Sequence, residues 1–288
     1  MSAETRVVGS RSALRAACAA ASPGERRAVV MTMGALHEGH ARLMREARSR
    51  VGPDGHVTVT VFVNPTQFGA DDDLDRYPRT LEADVDLCAR EGVDVVFAPG
   101  PEVVYRDGDP QVVVDPGPLG TVLEGAIRPG HFRGVLTVVL KLLHLTGADL
   151  AVFGEKDFQQ LVLLRRMVRD LDVPVEVVGV PVVRDADGLA LSSRNAYLDA
   201  EERAHALAIP HALDLGAAAA AEGGSARDVV SAAQAHLDEA GLLVDYVALT
   251  DPWLDAPPAS GEARLLVAVR LGDLRLIDNV RVDLVERA

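Results

Sequence analysis

Ala28-Val29-Val30-Met31-Thr32-Met33-Gly34-Ala35-Leu36-His37-Glu38-Gly39-His40 runs from an apolar segment through a glycine into two histidines three positions apart. A short apolar run of this kind reads as a strand buried on both faces, and the pattern from His40 to Arg50 as the helix that follows it. Side chains three apart on a helix share a face, so His37 and His40 stand together where the helix begins. A first helical turn also presents unbonded backbone N–H groups and the positive end of the dipole, which attract an anion. Gly34 and Gly39 let the backbone come close to a ligand, and the arrangement suits a polyphosphate. The plainer alternative is that each imidazole only hydrogen-bonds its own helix terminus.

The same texture recurs along the chain. Val57 to Val63, Asp94 to Phe97, Leu150 to Phe153 and Val175 to Val183 also read as strands, with helices over His40 to Arg50, Leu81 to Glu91, Val135 to His144 and Phe158 to Leu171. Alternation of this kind predicts an α/β fold with a Rossmann-like doubly wound parallel sheet, whose ligands sit beyond the strand carboxyl ends where the strand order reverses. The histidine run occupies one such strand-to-helix junction. Past Arg184-Asp185-Ala186-Asp187-Gly188 the texture shifts to alanine-rich helices, Asp199 to Glu222 and Ala226 to Ala240, and then to strands around Tyr246 to Leu249, Arg264 to Leu271 and Asn279 to Leu284. The expected organisation is a nucleotide-binding domain over 1–182 and a smaller α+β lid domain over 183–288. Asp199, with Glu202 three residues on, predicts a capping box at the start of the first alanine-rich helix.

Composition narrows the function classes. A formal net charge of −14 over 288 residues disfavours a broad footprint for nucleic acid or anionic membrane, so a phosphate site must be local. The stretch Gly134 to Phe153 is interrupted by Lys141, His144 and Asp149 and falls short of the roughly 20 clean residues of a membrane span. Met1 to Arg6 is polar and lacks the apolar centre of a signal peptide, which points to a soluble cytoplasmic protein. Cys18 and Cys88 stand alone, without metal-like spacing, and fit reduced thiols.

Other segments carry candidate chemistry. Phe153-Gly154-Glu155-Lys156-Asp157-Phe158-Gln159-Gln160 is a second strand-to-helix junction, and Lys141 and Lys156 are the only lysines among the 29 Lys and Arg residues. A lysine kept at 156 in so arginine-rich a chain suggests a phosphate contact made by a compact ammonium. Leu191-Ser192-Ser193-Arg194-Asn195 adds hydroxyls and a guanidinium, although taken alone it equals an ordinary turn. Phe62-Val63-Asn64-Pro65-Thr66-Gln67-Phe68 places amides at a strand end, for a small substrate or for a capped turn. The loop Glu124 to Gly134, with Arg128, His131 and Arg133, is equally an anion contact or a surface connection, and Gly69 to Thr80 has the acidity and Gly/Pro content of a mobile flap. Neither a P-loop nor a Gly-x-Gly-x-x-Gly follows the first strand, and no Cys/His cluster suggests zinc.

Taken in order, Thr32 to His40, Phe62 to Phe68, Tyr77-Pro78-Arg79-Thr80, Gly154 to Asp157 with Gln160, and Leu191 to Asn195 resemble the pantothenate synthetase (pantoate-beta-alanine ligase) family of the His-x-Gly-His nucleotidyltransferase superfamily, over nearly the whole chain. The resemblance implies ATP-dependent condensation of (R)-pantoate with beta-alanine through pantoyl adenylate, releasing AMP and pyrophosphate. It implies that Met33, Gly34, Ala35, Leu36, His37, Glu38, Gly39 and His40 line the ATP site, joined by Gly154, Glu155, Lys156, Asp157, Val183, Leu191, Ser192, Ser193 and Arg194. His40, His37, Lys156 and Arg194 are the catalytic candidates, and Gln67, Gln160 and Asn64 the pantoate contacts. The 1–182 domain would bind pantoate as well as nucleotide. Mg2+ would accompany ATP, its protein ligands unassigned; Asp84 stands where family members carry paired acids, with Ala83 in place of the other. A homodimer is implied. The alternatives are a nucleotide-sensing binding module without turnover, and a related adenylyltransferase with a different acceptor.

Overall fold

The computed structural model describes residues 5–19, 24–69, 74–106 and 108–285. Residues Met1 to Glu4 and the acidic part of the expected flap, Ala70 to Asp73, lie outside them. The chain divides into two compact units, Met1–Glu155 with Leu163–Pro181, and Lys156–Val162 with Val182–Ala288.

In chain order the first part carries β1 (Arg6–Val8), α1 (Arg11–Cys18), β2 (Arg27–Thr32), α2 (Glu38–Val51), β3 (His56–Val61), α3 (Leu81–Arg90), β4 (Val95–Phe97), the one-turn helices α4 (Pro101–Val104) and α5 (Glu124–Ile127), α6 (His131–Thr146), β5 (Leu150–Gly154), α7 (Phe158–Asp170) and β6 (Glu176–Val180). The six strands form one sheet in the order β1-β4-β3-β2-β5-β6, parallel throughout. On one face Ala28 and Val30 of β2, Val57 and Val59 of β3, and Leu150 and Val152 of β5 pack with Met44 and Ala47 of α2 and Cys88 of α3. Residues of the opposite parity, such as Val29, Thr58 and Ala151, are buried too. Side chains alternate across a strand, so both faces of the sheet are covered and its strands read as continuous apolar runs.

The strand order reverses between β2 and β5, because β3 and β4 lie to one side of β2 and β5 and β6 to the other. The register between β2 and β5 ends at Val30↔Val152, whereas β2 stays level with β3 to Thr32↔Val61 and β5 with β6 to Gly154↔Val180. The carboxyl ends of the two central strands therefore part company, which opens the switch-point crevice in which open α/β sheets bind ligands.

The second unit adds α8 (Ala200–Ala206), α9 (Ala208–Ala221), α10 (Ala226–Glu239), β7 (Leu243–Thr250), β8 (Gly261–Leu271) and β9 (Leu274–Leu284), the strands forming an antiparallel sheet in the order β7-β8-β9. Ile209, Leu213, Val229 and Leu237 of the helices pack on Leu265, Val267, Val269 and Val282 of the sheet. The alanine richness of α9 has a packing reason. A Cβ on Gly216 would lie 2.4 Å from Cδ2 of Leu265, so a bulkier stripe would push the helix off the sheet. The expected capping box is present, with Glu202 N–H donating to Asp199 Oδ1 at 2.8 Å and Asp199 N–H to Glu202 Oε2 at 3.0 Å.

The α/β expectation holds in the six-stranded parallel sheet with its helices and in the small antiparallel sheet. Several details differ, the strand expected over Val175 to Val183 being confined to Glu176–Val180. The helix expected over Asp199 to Glu222 breaks at Leu207, since Pro210 has no N–H to give the carbonyl of Ala206. The strand expected over Val57 to Val63 ends at Val61, where the chain turns into Asn64. The edge strand β1 went unread, because three residues with an exposed Val7 offer no periodicity to detect, and helix α1 was missed although Ser10 caps it and Leu14, Ala17 and Cys18 form its buried face.

Cys18 and Cys88 are both buried. Burial pushes both thiols up, that of Cys88 to about 12. The reactive thiolate is thus suppressed at neutral pH. Ellman's reagent at pH 8 should find no fast-reacting thiol in the native protein and two after unfolding in guanidinium; a fast native titre would contradict the packing around α1 and α3.

Candidate active site

The turn between β2 and α2 is held by a carboxylate from α3. Asp84, 2% exposed, accepts the N–H of Ala35 at Oδ2 (3.1 Å) and of Leu36 at Oδ1 (2.8 Å), and the Thr80 hydroxyl at Oδ1 (3.1 Å). Ala35 has a positive φ of 50°, a left-handed conformation that costs a non-glycine residue energy, and the bonds to Asp84 hold it there. Gly34 precedes it at φ 91°, and a Cβ there would sit 3.0 Å from Asp84 Oδ2 and 3.2 Å from Val61 Cγ1. No side chain fits at position 34 without displacing the clamp.

The two histidines then cap α2 reciprocally. His37, at φ −138° and ψ 179°, is the N-cap residue, and its Nδ1 accepts the N–H of Gly39 at 3.1 Å. His40 Nδ1 reaches back to accept the N–H of His37 at 3.2 Å, and the ring centroids lie 4.1 Å apart. Both rings thus serve the helix terminus through Nδ1. That use also has a chemical consequence. An Nδ1 that accepts a backbone N–H holds a lone pair, so each neutral ring carries its proton on Nε2. The pair presents two oriented N–H donors of fixed tautomer at a positive helix end. Glu38, beside them, is taken by Arg45, whose guanidinium at 2.5 Å holds the carboxyl below its ordinary value.

Gln67 is oriented by a buried network. Asn64, 1% exposed, takes at Oδ1 the Tyr105 hydroxyl (2.7 Å) and the Thr66 hydroxyl (2.9 Å). Its Nδ2 donates to Gln67 Oε1 (3.0 Å) and to the carbonyl of Gly134 (3.3 Å). Because a carbonyl can only accept, the amide of Asn64 has one orientation, and Gln67 must turn its oxygen inward and its Nε2 donor away. That Nε2 lies 3.2 Å from Sδ of Met33, which joins the amide to the histidine loop. The carbonyl of Gln67 accepts from His131 Nδ1 at 2.9 Å and from Arg128 Nη2 at 3.5 Å. Burial pushes the Tyr105 phenol up, so it remains a donor. Gly134 lets α6 meet this turn, since a Cβ would lie 2.3 Å from the Thr66 carbonyl oxygen.

Gly154 and Glu155 end β5 within the first unit. In the second unit, Lys156 and Asp157 complete a single 3₁₀ turn and Gln160 follows half-buried on α7. Val183 and Leu191 are direct neighbours across a hairpin, Leu191 N–H donating to the Val183 carbonyl at 2.9 Å. Ser192 caps the next 3₁₀ turn by accepting the N–H of Arg194 at 3.3 Å, with Ser193 inside it. The first unit therefore gathers Met33 to His40 with Asn64 and Gln67, and the second ties the hairpin to its own sheet through Arg184. Arg184 pairs with Asp278 at 2.5 and 3.0 Å. Burial pushes the Asp278 carboxyl up, against the pull of Arg184.

Sequence reasoning passed over Tyr105, Gly134, Arg184, Asp278 and Asn279, and saw Asp84 only as an acid. One signal was available: Asp278 shares the parity of Leu276, Val280, Val282 and Leu284, so it is an acid at an apolar position of its strand. Among the described residues no three His, Cys, Asp or Glu side chains gather to hold a metal ion. Both Asp84 oxygens are committed to backbone N–H groups. Among the described residues the carboxylates therefore form no cage for a resident magnesium.

Residues 6–281 match the family described as Pantoate-beta-alanine ligase. The chain is 60% identical over 258 residues to a pantothenate synthetase of Salinispora arenicola, covering 89% of this chain and 90% of that protein. To one of Nocardioides sp. it is 57% identical over 270 residues, covering 91% and 80%. Among solved structures it is similar to pantothenate synthetase from Thermus thermophilus, with a TM-score of 0.89 and 47% identity over 96% of this chain and 98% of that one. It is also similar to pantoate-beta-alanine ligase from Francisella tularensis complexed with beta-gamma ATP and beta-alanine, with a TM-score of 0.80 and 31% identity over 96% and 97%.

The clamp on the histidine loop can be measured. Asp84→Asn keeps the shape but sets an NH2 group against one of the two backbone N–H donors. Leaving one buried donor unmet should cost about 1–3 kcal/mol in urea unfolding and weaken ATP binding. Unchanged stability would remove the clamp from the account.

Proposed function

The chain belongs to the pantoate-beta-alanine ligase family, and from that premise we propose how its residues divide the work of making pantothenate from ATP, (R)-pantoate and beta-alanine. The pantoate carboxylate attacks the α-phosphorus of ATP; the new O–P bond forms as the bond to pyrophosphate breaks. The beta-alanine amine then attacks the acyl carbon of pantoyl adenylate, and AMP leaves. The observation that carries this division is the pair of Nδ1-bonded histidines at the head of α2. Their Nε2–H groups meet the β- and γ-phosphates as neutral, preset donors, and negative charge on the departing pyrophosphate grows only in the transition state. Donors fixed in advance at that place stabilise the transition state more than bound ATP.

Met33 to His40 form the nucleotide wall of the first unit, together with Gly154 and Glu155. Lys156, Ser192 and Arg194 supply the remaining phosphate contacts, with Asp157, Ser193, Val183 and Leu191 against the nucleotide. Gln67 offers Nε2–H to an oxygen of pantoate, Gln160 a second amide, and Asn64 acts through Gln67. Magnesium arrives on the phosphates of ATP as part of the substrate. The reading extends to a 1–182 domain that binds nucleotide and pantoate, a 183–288 lid, and a homodimer in the cytoplasm; the family resemblance supports these. Among the described residues no helix is long and apolar enough to cross a membrane.

The first half-reaction tests the assignment. Labelled pyrophosphate should exchange into ATP when pantoate is present and not otherwise; folded protein that fails to exchange with pantoate would defeat it. His40→Ala should still bind ATP while exchange falls by about 10²–10³. A near-normal single-turnover rate in that variant would contradict the role given to His40.

A further inference from the structure

We propose that Asp278 and Asn279, consecutive residues of β9, are positioning residues for ATP, fixing from one strand both nucleotide segments of the second unit: Lys156 and the hairpin from Val183 to Leu191. The proposal rests on the reading of Lys156 as a phosphate contact.

Asn279 is 2% exposed. Its Nδ2 donates to the carbonyl of Lys156 at 3.0 Å, and its Oδ1 accepts from Arg264 Nη1 at 3.2 Å. A guanidinium can only donate and a carbonyl only accept, so the amide is fixed at both ends. The Arg264 guanidinium lies 4.1 Å over the ring of Phe158, two residues beyond Lys156, which holds the same turn a second time.

One residue earlier, Asp278 takes the guanidinium of Arg184 in a two-pronged pair and also accepts the N–H of Asn279 at 2.7 Å. Arg184 Nη1 donates as well to the carbonyl of Gly188 at 3.0 Å, across the hairpin, and Arg184 is bridged to Ala190. Successive side chains of a strand leave on opposite faces. Asp278 therefore reaches the hairpin from one face while Asn279 reaches Lys156 from the other, with one peptide unit linking the two.

Stability alone gives no reason for this arrangement. Burying Asp278 carries a desolvation cost that the part-exposed Arg184 only offsets, and well-packed apolar residues commonly serve a core as well or better. The five other positions of the same parity on β9 are apolar. What the planar guanidinium fork and the fixed amide provide is position, to within a fraction of an ångström. A contact misplaced by about 1 Å can lower a rate some 10²-fold.

The test is a cycle of Lys156→Ala, Asn279→Ala and the double variant, read by pyrophosphate exchange at varied ATP and pantoate, with thermal melting alongside. Asn279→Ala should lower kcat for exchange at least about tenfold with KM for pantoate unchanged. Added to Lys156→Ala, it should cost less than about twofold more, because its effect passes through Lys156. An equal loss in both backgrounds marks a merely structural residue and overturns the proposal. Normal exchange in Asn279→Ala beside impaired exchange in Lys156→Ala overturns it too, and leaves the reading of Lys156 standing. Undiminished exchange in Lys156→Ala removes that reading and the proposal together. If Asn279→Ala does not fold, Asn279→Asp takes its place under the same expectations, since it keeps the acceptor for Arg264 but cannot donate to Lys156.

Discussion

A single buried carboxylate bears on everything at the head of α2. Asp84 binds two successive backbone N–H groups of the turn after β2, and without those bonds Ala35 would have no reason to remain at positive φ. The direction in which the chain enters α2 follows from that turn, and the geometry of both imidazoles follows from the entry. Charge-assisted bonds from backbone N–H to carboxylate are among the stronger hydrogen bonds in proteins, and here they act on the main chain itself. The histidines are thus set by backbone position as well as by their own packing.

Amides do comparable work elsewhere in the chain. Asn64 turns Gln67 so that a donor leads outward, and Asn279 holds the main chain of Lys156. In each case an amide bonded at both ends transmits a direction from rigid backbone to a residue argued to meet substrate. Groups already held need no reordering as charge develops, and that preset order is the larger part of what such a site contributes. The histidine loop itself follows β2 just past Val30 and Val152, where β2 and β5 cease to pair.

Much of this was legible in the chain. The strand and helix runs, the Asp199 capping box and the histidine junction follow from periodicity and from residues that act locally. Tyr105, Gly134 and Asn279 were not legible, since each acts on a partner far away in sequence: 41 positions for Tyr105 to Asn64 and 123 for Asn279 to Lys156. Asp278 was the exception, an acid on an apolar stripe that announced a partner without naming it. Asp84 was visible as an acid, yet its role as a clamp on the main chain could be seen only with the fold assembled.

The amino-acid sequence determined by itself the alternation of buried strands and amphipathic helices, and the placing of two histidines, with a glycine on either side of the first, at a helix start. Those properties depend on side-chain spacing over a few residues, which the covalent chain enforces. The tertiary structure alone decided the strand order that makes β2 and β5 neighbours, the tautomer of each imidazole, and the partners of the buried acids and amides. Those depend on which distant segments pack together, and burial selects that arrangement because an enclosed donor or acceptor left without its complement carries a cost.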